Sequence, residues 1–365
     1  MPSQNDRRAV LAKAPCRADL AGATIDLWPL YLFHPGSVTV NFAVSIMTTC
    51  RITPLAGKAI HLKSLDTGRE ERFADLEALC CAPKYAHPLA ARLLQFFQPE
   101  GGLALETTSG SPAGAGIAGS SALMIATTGA LARYTGRRLG REQMRVLAQN
   151  VEAQLINVPT GCQDYYPALY GGVSAIHLDT DQVRREALPV AAEEIEARFL
   201  LVYTGAPRAS GINNWEVFKA HIDGDRKVVR NFERMAQISR LMHGALSQGD
   251  WDEVARLLLD EWKFRKSNYA RISTPLIDNL VAVAAKNGGR AAKVCGAGGG
   301  GCVVFMVRED AKQRVAEAMR KAGGRVLPFR VARHGLVISA VNTETKHPHL
   351  PKAGRYGAPS PRGRA

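Results

Sequence analysis

The sequence predicts an α+β fold, and three observations predict it. Apolar residues alternate strictly through Val38, Val40, Phe42, Val44 and Ile46, the period-two signature of a strand. Residues 121–134 and 143–156 carry their apolar side chains at helical spacing. Beyond Asn213 a helical pattern continues to Asn268 and then gives way to a mixed run of helices and strands, which is the order expected of an α+β chain.

The strand over residues 37–52 is expected to be long and half-buried, in an antiparallel sheet with one face wet or covered by helices. Residues 90–97 also have helical spacing. VSAIHL (173–178) and RFLLVY (198–203) read as strands, with DTDQV as the turn between them. Asp250 stands where a carboxylate would cap the helix of WDEVARLLLDEWKFRKS, accepting from its free N–H groups. A helix over 275–287, strands near 292 and 302, a helix over 310–322 and strands near 325 and 335 complete the pattern, without internal repeats.

Composition narrows the function. At 365 residues the chain is long enough for two cores, and 46% hydrophobic with 22% charged residues is ordinary for a globular protein. No window approaches about 18 uninterrupted apolar residues, and MPSQNDRRAV has no hydrophobic signal core, so no membrane and a cytoplasmic location are expected. The seven cysteines form no CxxC pair and no ligand spacing with histidine, which argues against a disulfide or zinc framework. Cys16, Cys295 and Cys302 beside the glycine-rich segments read as small packing residues. The net charge of +14 raises nucleic acid as a partner, but residues 343–365, rich in Pro and Gly, hold five Lys or Arg against one Glu and read as a disordered basic tail. No basic repeat interleaved with aromatics stands out elsewhere, so nucleic acid is not expected as the main activity. A positive surface also suits an enzyme that draws anionic substrates inward.

The segment SPAGAGIAGSSAL, residues 111–123, has the makings of a phosphate cradle. Its glycines let main-chain N–H groups approach an anion, and the helix expected to start near Ser120 adds the positive end of its dipole. Gly114, Gly116 and Gly119 also match GxGxxG, but residues 134–141, YTGRRLGR, lack the acid a dinucleotide site places about 20 positions on. No Lys follows Gly119, so this is not a Walker loop either.

Two further segments stand in order around it: KAPCRADLAGATIDL (13–27) and KVCGAGGGGCVVF (293–305). Together the three resemble the motifs of the GHMP kinases over roughly residues 10–341. GCQDYYPALYGG (161–172) is similar to the sugar anomeric kinase branch, and most of all to the D-glycero-D-manno-heptose 7-phosphate kinases. VYTGAPRAS (202–210) and DEWKFRKS (260–267) are softer echoes of the same branch. The chain departs from it where Ala118 replaces a usual glycine, and where Gly22 is followed by Ala-Thr-Ile.

The resemblance implies an ATP- and Mg²⁺-dependent kinase acting on a sugar hydroxyl, the anomeric one of a heptose 7-phosphate. It implies an N-terminal domain over 10–190 like ribosomal protein S5 domain 2 and a ferredoxin-like C-terminal domain over 195–341. Pro112, Gly114, Gly116, Ile117, Ala118, Gly119, Ser120, Ser121 and Ala122 would hold ATP. Ser120 and Glu152 would hold Mg²⁺, whose hardness suits hydroxyl and carboxylate oxygens, with Ser121 the rival if the register differs by one. Asp164 would orient or deprotonate the acceptor hydroxyl, and Arg17 would keep that carboxylate ionised and counter phosphate charge. Asp26 would bind sugar hydroxyls, with Gly22, Gly161, Gly298 and Gly299 beside the substrate. Arg208, with Lys263, Arg265 and Lys266, would hold a distal phosphate. The glycines from Gly296 to Gly301 would buttress the phosphate loop through a close approach of two chains. The alternatives are another sugar or sugar acid (galactose, fucose, glucuronate), a non-catalytic ligand sensor, and a nucleic-acid binder. The expected partners are ATP and a sugar or sugar phosphate; a homodimer stays open.

Overall fold

The computed structural model describes residues 8–206 and 212–341. Arg208 and the basic tail over 343–365 lie outside the described residues.

The chain opens with β1 (Ala9–Ala21), β2 (Ser37–Leu55), β3 (Ile60–Ser64) and β4 (Glu70–Phe73). Helices α1 (Leu76–Cys81) and α2 (Pro88–Phe97) lead to β5 (Gly102–Ser109), α3 (Gly119–Thr135), α4 (Arg141–Ile156) and the short α5 (Tyr165–Tyr170). Next come β6 (Val173–Leu178), β7 (Val183–Ala187), α6 (Ala192–Arg198) and β8 (Phe199–Tyr203). The remainder is α7 (Ile212–Ile222), α8 (Arg226–Gln248), α9 (Trp251–Asn268), α10 (Pro275–Asn287), β9 (Gly289–Val294), β10 (Cys302–Val307), α11 (Lys312–Lys321), β11 (Arg325–Leu327) and β12 (Val337–Val341).

Two sheets organise these elements. The first runs β12-β1-β2-β5-β3-β4, with β6 added to β2 and β7 to β6; only β3 and β5 pair in parallel. The second is the antiparallel order β11-β8-β10-β9. Chain order and sheet membership part company at the end, because β12 returns to pair with β1. The mixed α+β class expected from periodicity is the class observed.

Strand β2 is half-buried in its second part, where Thr48, Cys50 and Ile52 alternate with partly exposed residues, and differs from that expectation in its first part. Residues 37–44 are buried without interruption, Thr39 and Asn41 included, because α3 and α8 both pack against the strand. The alternation of Val38, Val40, Phe42 and Val44 marks one covered face and leaves water or helices for the other; over residues 37–44 it is helices. Between β6 and β8 the chain is also richer than a turn: residues 179–182 turn into β7, and α6 takes Arg198, which had been assigned to the strand.

Local chemistry explains several boundaries. Asp250 accepts from the Glu253 N–H at 3.0 Å and caps α9 as expected, and Asp225 caps α8 in the same way. Thr274 caps α10, with Pro275 in the first turn, where its missing N–H costs nothing. Helix α3 is apolar nearly all round and wedges between β1, β2 and α4. Phe42, Phe97, Phe199 and Phe305 are fully buried, each contributing about 1.5–3 kcal/mol of hydrophobic stabilisation.

Candidate active site

A cleft of about 400 Å³ opens where the segment between β5 and α3 faces the end of β1, the loop before α5, and the loop between β9 and β10. Pro112, Gly114, Gly116, Ala118, Gly119, Ser120 and Ser121 line it. Helix α3 has no side-chain cap, so its first N–H groups remain available to an anion. Ala118 sits at φ +59°, in the left-handed region that favours glycine, the residue the resemblance would place here. Two of the residues expected around ATP turn away. Ile117 and Ala122 are fully buried in the core, and Ile117 contributes only its carbonyl, which accepts from the Arg17 N–H.

Arg17 and Asp164 meet on the opposite wall. Register shifts in the β1–β2 ladder at Pro15/Cys16 and Asp19/Ala21 bracket Arg17 and re-aim its side chain. Its Nε and Nη2 donate to Asp164 Oδ1 at 2.9 and 2.7 Å, and its Nη1 donates to the Gly116 carbonyl at 2.8 Å and to Asp19 Oδ1 at 3.2 Å. One guanidinium therefore ties the phosphate loop to Asp164. Burial opposes the Arg17 charge, but Asp164 and Asp19 outweigh it and raise its pKa further. Asp164 is 23% exposed, and its Oδ2 makes no bond to any described residue, so that oxygen is free to meet a hydroxyl.

Glu152 projects from α4 into the same cleft, buried, with Oε2 accepting from Ser121 at 2.8 Å and from the Tyr165 hydroxyl at 2.6 Å. Burial raises its pKa, while bonds from Tyr165, Ser121 and Ser120 oppose the rise, and among the described residues it is in no ion pair. A buried carboxylate without a counter-charge, next to two serine hydroxyls, is a donor set that fits Mg²⁺. Ser120 is exposed at the rim and Ser121 is buried, so Ser120 has the freer hydroxyl.

Asp26 lies between these groups, 3% exposed, its Oδ2 accepting from the Gln163 N–H at 2.9 Å. Burial, then the negative charge of Asp164, push its carboxyl up to about 6. Gly161 makes room for it: a Cβ there would fall 2.0 Å from Asp26 Oδ2.

The other expected substrate residues stand elsewhere. Gly22 is buried behind the cleft, against the Val38 carbonyl, with its N–H donating to Glu261 Oε1. Gly298 and Gly299 pack on Ile272 and Arg271, and Gly296 and Ala297 reach the cleft in their place. Lys263 is solvent-exposed on α9, and Lys266 pairs with Asp278 outside the cleft. Arg265 does line the cleft, but its two Nη groups are held by the Ala23 and Gly296 carbonyls and its Nε is buried. The close approach expected of the third motif is present at Gly301, where a Cβ would meet the Ala115 carbonyl at 2.7 Å.

Sequence reasoning missed the charge cluster beneath Arg17. Lys293 pairs with Asp19, both wholly buried, and Glu261 and Arg265 complete the group. Burial alone would raise the Asp19 carboxyl, yet Lys293 and Arg17 hold it well below the usual carboxylate range. Burial raises Glu261 to about 7. A partial signal was available: Arg17 and Asp19 are alternate charges in the mostly apolar β1, and Lys293 stands between Ala292 and Val294 in β9. Cys16 and Cys295 are buried with their thiols pushed up to about 12, consistent with packing and not with chemistry.

A glycine-lined cradle, an ion-paired carboxylate with one open oxygen, and a buried carboxylate beside serine hydroxyls make a cleft of the kind that suits a phosphorylated ligand. Comparison with known proteins names the family. Residues 84–172 match the GHMP kinases N terminal domain and residues 242–325 match the GHMP kinases C terminal description. A mevalonate kinase of Thermococcus gammatolerans is 30% identical over 256 residues, 66% of this chain and 70% of the relative. A D-glycero-alpha-D-manno-heptose 7-phosphate kinase of Campylobacter jejuni is 26% identical over 336 residues, 90% of this chain and 98% of the relative. The crystal structure of a D-glycero-D-manno-heptose 1-phosphate kinase from Bacteroides thetaiotaomicron superposes with a TM-score of 0.75 at 22% identity, over 92% of this chain and all of that one. The chain belongs to the GHMP kinase family. It is an ATP-dependent phosphotransferase with an alcohol group as acceptor. Among the described residues no helix is long and apolar enough to cross a membrane.

Proposed function

We propose that the chain moves the γ-phosphoryl group of ATP to the anomeric hydroxyl of a sugar, with a heptose 7-phosphate as acceptor. The observation that carries the chemistry is the open Oδ2 of Asp164 in the same cleft as the glycine loop and Asp26. The heptose assignment rests on the near full-length similarity to the Campylobacter jejuni relative.

In this reading the loop N–H groups cradle the phosphates. Arg17 fixes Asp164 and adds positive charge near the transferred group, where preorganised charge counts most. Asp164 Oδ2 accepts the proton side of the attacking hydroxyl, and its firm role is to hold that hydroxyl in line. Asp26 binds neighbouring sugar hydroxyls; a carboxylate that hydrogen-bonds hydroxyls discriminates far better than an apolar pocket. Glu152 and Ser120 would hold Mg²⁺, which neutralises charge on the phosphates when bound. Among the described residues the cleft's cations are Arg17 and Arg265, and both are engaged. Neither is left for a distal phosphate, and Arg208, another cation the sequence offers for it, lies outside the described residues.

The test is ADP release with Mg²⁺ over a panel of heptose 7-phosphate, neutral hexoses, uronic acids and mevalonate. Turnover with the heptose phosphate at least tenfold above every other acceptor supports the reading. Preference for mevalonate or for a neutral hexose replaces the acceptor, and loss of selectivity removes the role given to Asp26.

A further inference from the structure

Away from the cleft, three ligand-type side chains converge from three elements. His177 on β6 places Nε2 2.7 Å from Glu186 Oε2 on β7, and His243 on α8 places its Nε2 3.2 Å from the same oxygen. The three atoms lie within 4.8 Å of one another. The register sets Ala175 opposite Glu186 and His177 opposite Arg184, so His177 and Glu186 are diagonal neighbours on one face of the hairpin. The two imidazole rings stand edge to face, with centroids 5.4 Å apart.

A hydrogen bond accounts for His177 and Glu186. His243 Nε2 faces the same oxygen, buried, at the ion-pair distance of 3.2 Å. One carboxylate oxygen facing two imidazole nitrogens from separate elements is also the arrangement of three ligands around one ion. Metal–ligand distances of about 2.0–2.1 Å place neighbouring tetrahedral ligands about 3.3 Å apart.

We propose that His177, Glu186 and His243 form a site for one borderline divalent transition metal of the zinc class, with water in the fourth position. Two imidazoles with one carboxylate select such an ion over Mg²⁺ or Ca²⁺, which prefer all-oxygen sets. The side chains are 18%, 37% and 28% exposed, which leaves an entry path for the ion and a place for the water. Strand β7 is an edge of the first sheet, paired only with β6, and α8 packs on β1 and β2. The ion clasps this edge hairpin to α8, and its role is structural.

Tag-free, chelator-stripped full chain titrated with Co²⁺, without nucleotide or Mg²⁺, decides the matter. The expected result is one equivalent bound, with the visible bands of a four- or five-coordinate site, displaced by Zn²⁺. Binding should weaken at least tenfold in His243→Ala and in Glu186→Gln, and the Zn²⁺-induced rise in Tm should vanish in both. No Co²⁺ bound by the wild-type chain at micromolar concentration overturns the proposal, as does undiminished binding in His177→Ala and His243→Ala. Should a variant fail to fold, the wild-type chain still answers. Zn²⁺ should shield His177 and His243 from diethyl pyrocarbonate while His61 stays reactive, and equal modification with and without Zn²⁺ overturns the assignment.

Discussion

Arg17 spends two of its donors on a single oxygen of Asp164, Oδ1, and leaves Oδ2 to the cleft. In the proposed reading, this division leaves Asp164 one fixed oxygen for a hydrogen bond from substrate. Asp164→Asn should lower kcat by about 10²- to 10⁴-fold, the range of a positioned acid–base group, with ATP affinity little changed. Steady-state rates and nucleotide titration check this; a tenfold loss or less would return Asp164 to the status of an ion-pair partner.

Gly161 and Asp26 are linked by exclusion. The Cβ of Gly161→Ala would fall 2.0 Å from Asp26 Oδ2, so the carboxylate must move. KM for the sugar should rise at least tenfold while KM for ATP stays within twofold. Equal changes in both constants would remove Asp26 from the sugar site.

The pH profile follows from Asp26. Burial and Asp164 raise its carboxyl from 3.8 to about 6, and only the ionised form accepts from two sugar hydroxyls at once. kcat/KM for the acceptor should therefore climb with pH through about 6, with KM for ATP flat, and Asp26→Asn should abolish the step. The same shift acts oppositely on stability. The native state holds this proton more tightly than the unfolded chain, so the contribution of Asp26 declines as pH rises from 3.8 to about 6. A flat acceptor profile between pH 5 and 7 would contradict the assignment.

Glu152 is the buried carboxylate that a cation would neutralise. Glu152→Gln should raise the Mg²⁺ concentration for half-maximal rate at least tenfold. Tm without metal should hold or rise, since the neutral amide no longer carries the cost of burial. An unchanged Mg²⁺ requirement would move the metal to other oxygens.

The sequence made the site's motifs legible because they act through local chemistry. Gly114 and Gly116 with the helix start at Gly119, and Asp250 as a cap, are features of a few consecutive residues. The rest depends on contacts that spacing does not encode. Asp19 and Lys293 are 274 positions apart, and although each is a charge in a mostly apolar stretch, neither segment names the other as its partner. The alternation in β2 showed one buried face, while the second is created by α3 and α8. Strand β7, VRREA, has too little apolar content to show as a strand; β6 supplies the ladder that makes it one. Gly22, Gly298 and Gly299 show the limit of motif reading: their place in a glycine segment is visible, but which chain each one abuts is not.

The most direct measurement is ³¹P NMR of the product formed from ATP, Mg²⁺ and heptose 7-phosphate. The account predicts a second sugar phosphorus signal coupled to the anomeric proton, formed by the wild-type chain and absent with Asp164→Asn. A new phosphorus signal coupled to any other sugar proton, or no sugar phosphate formed while another alcohol is phosphorylated, would contradict it.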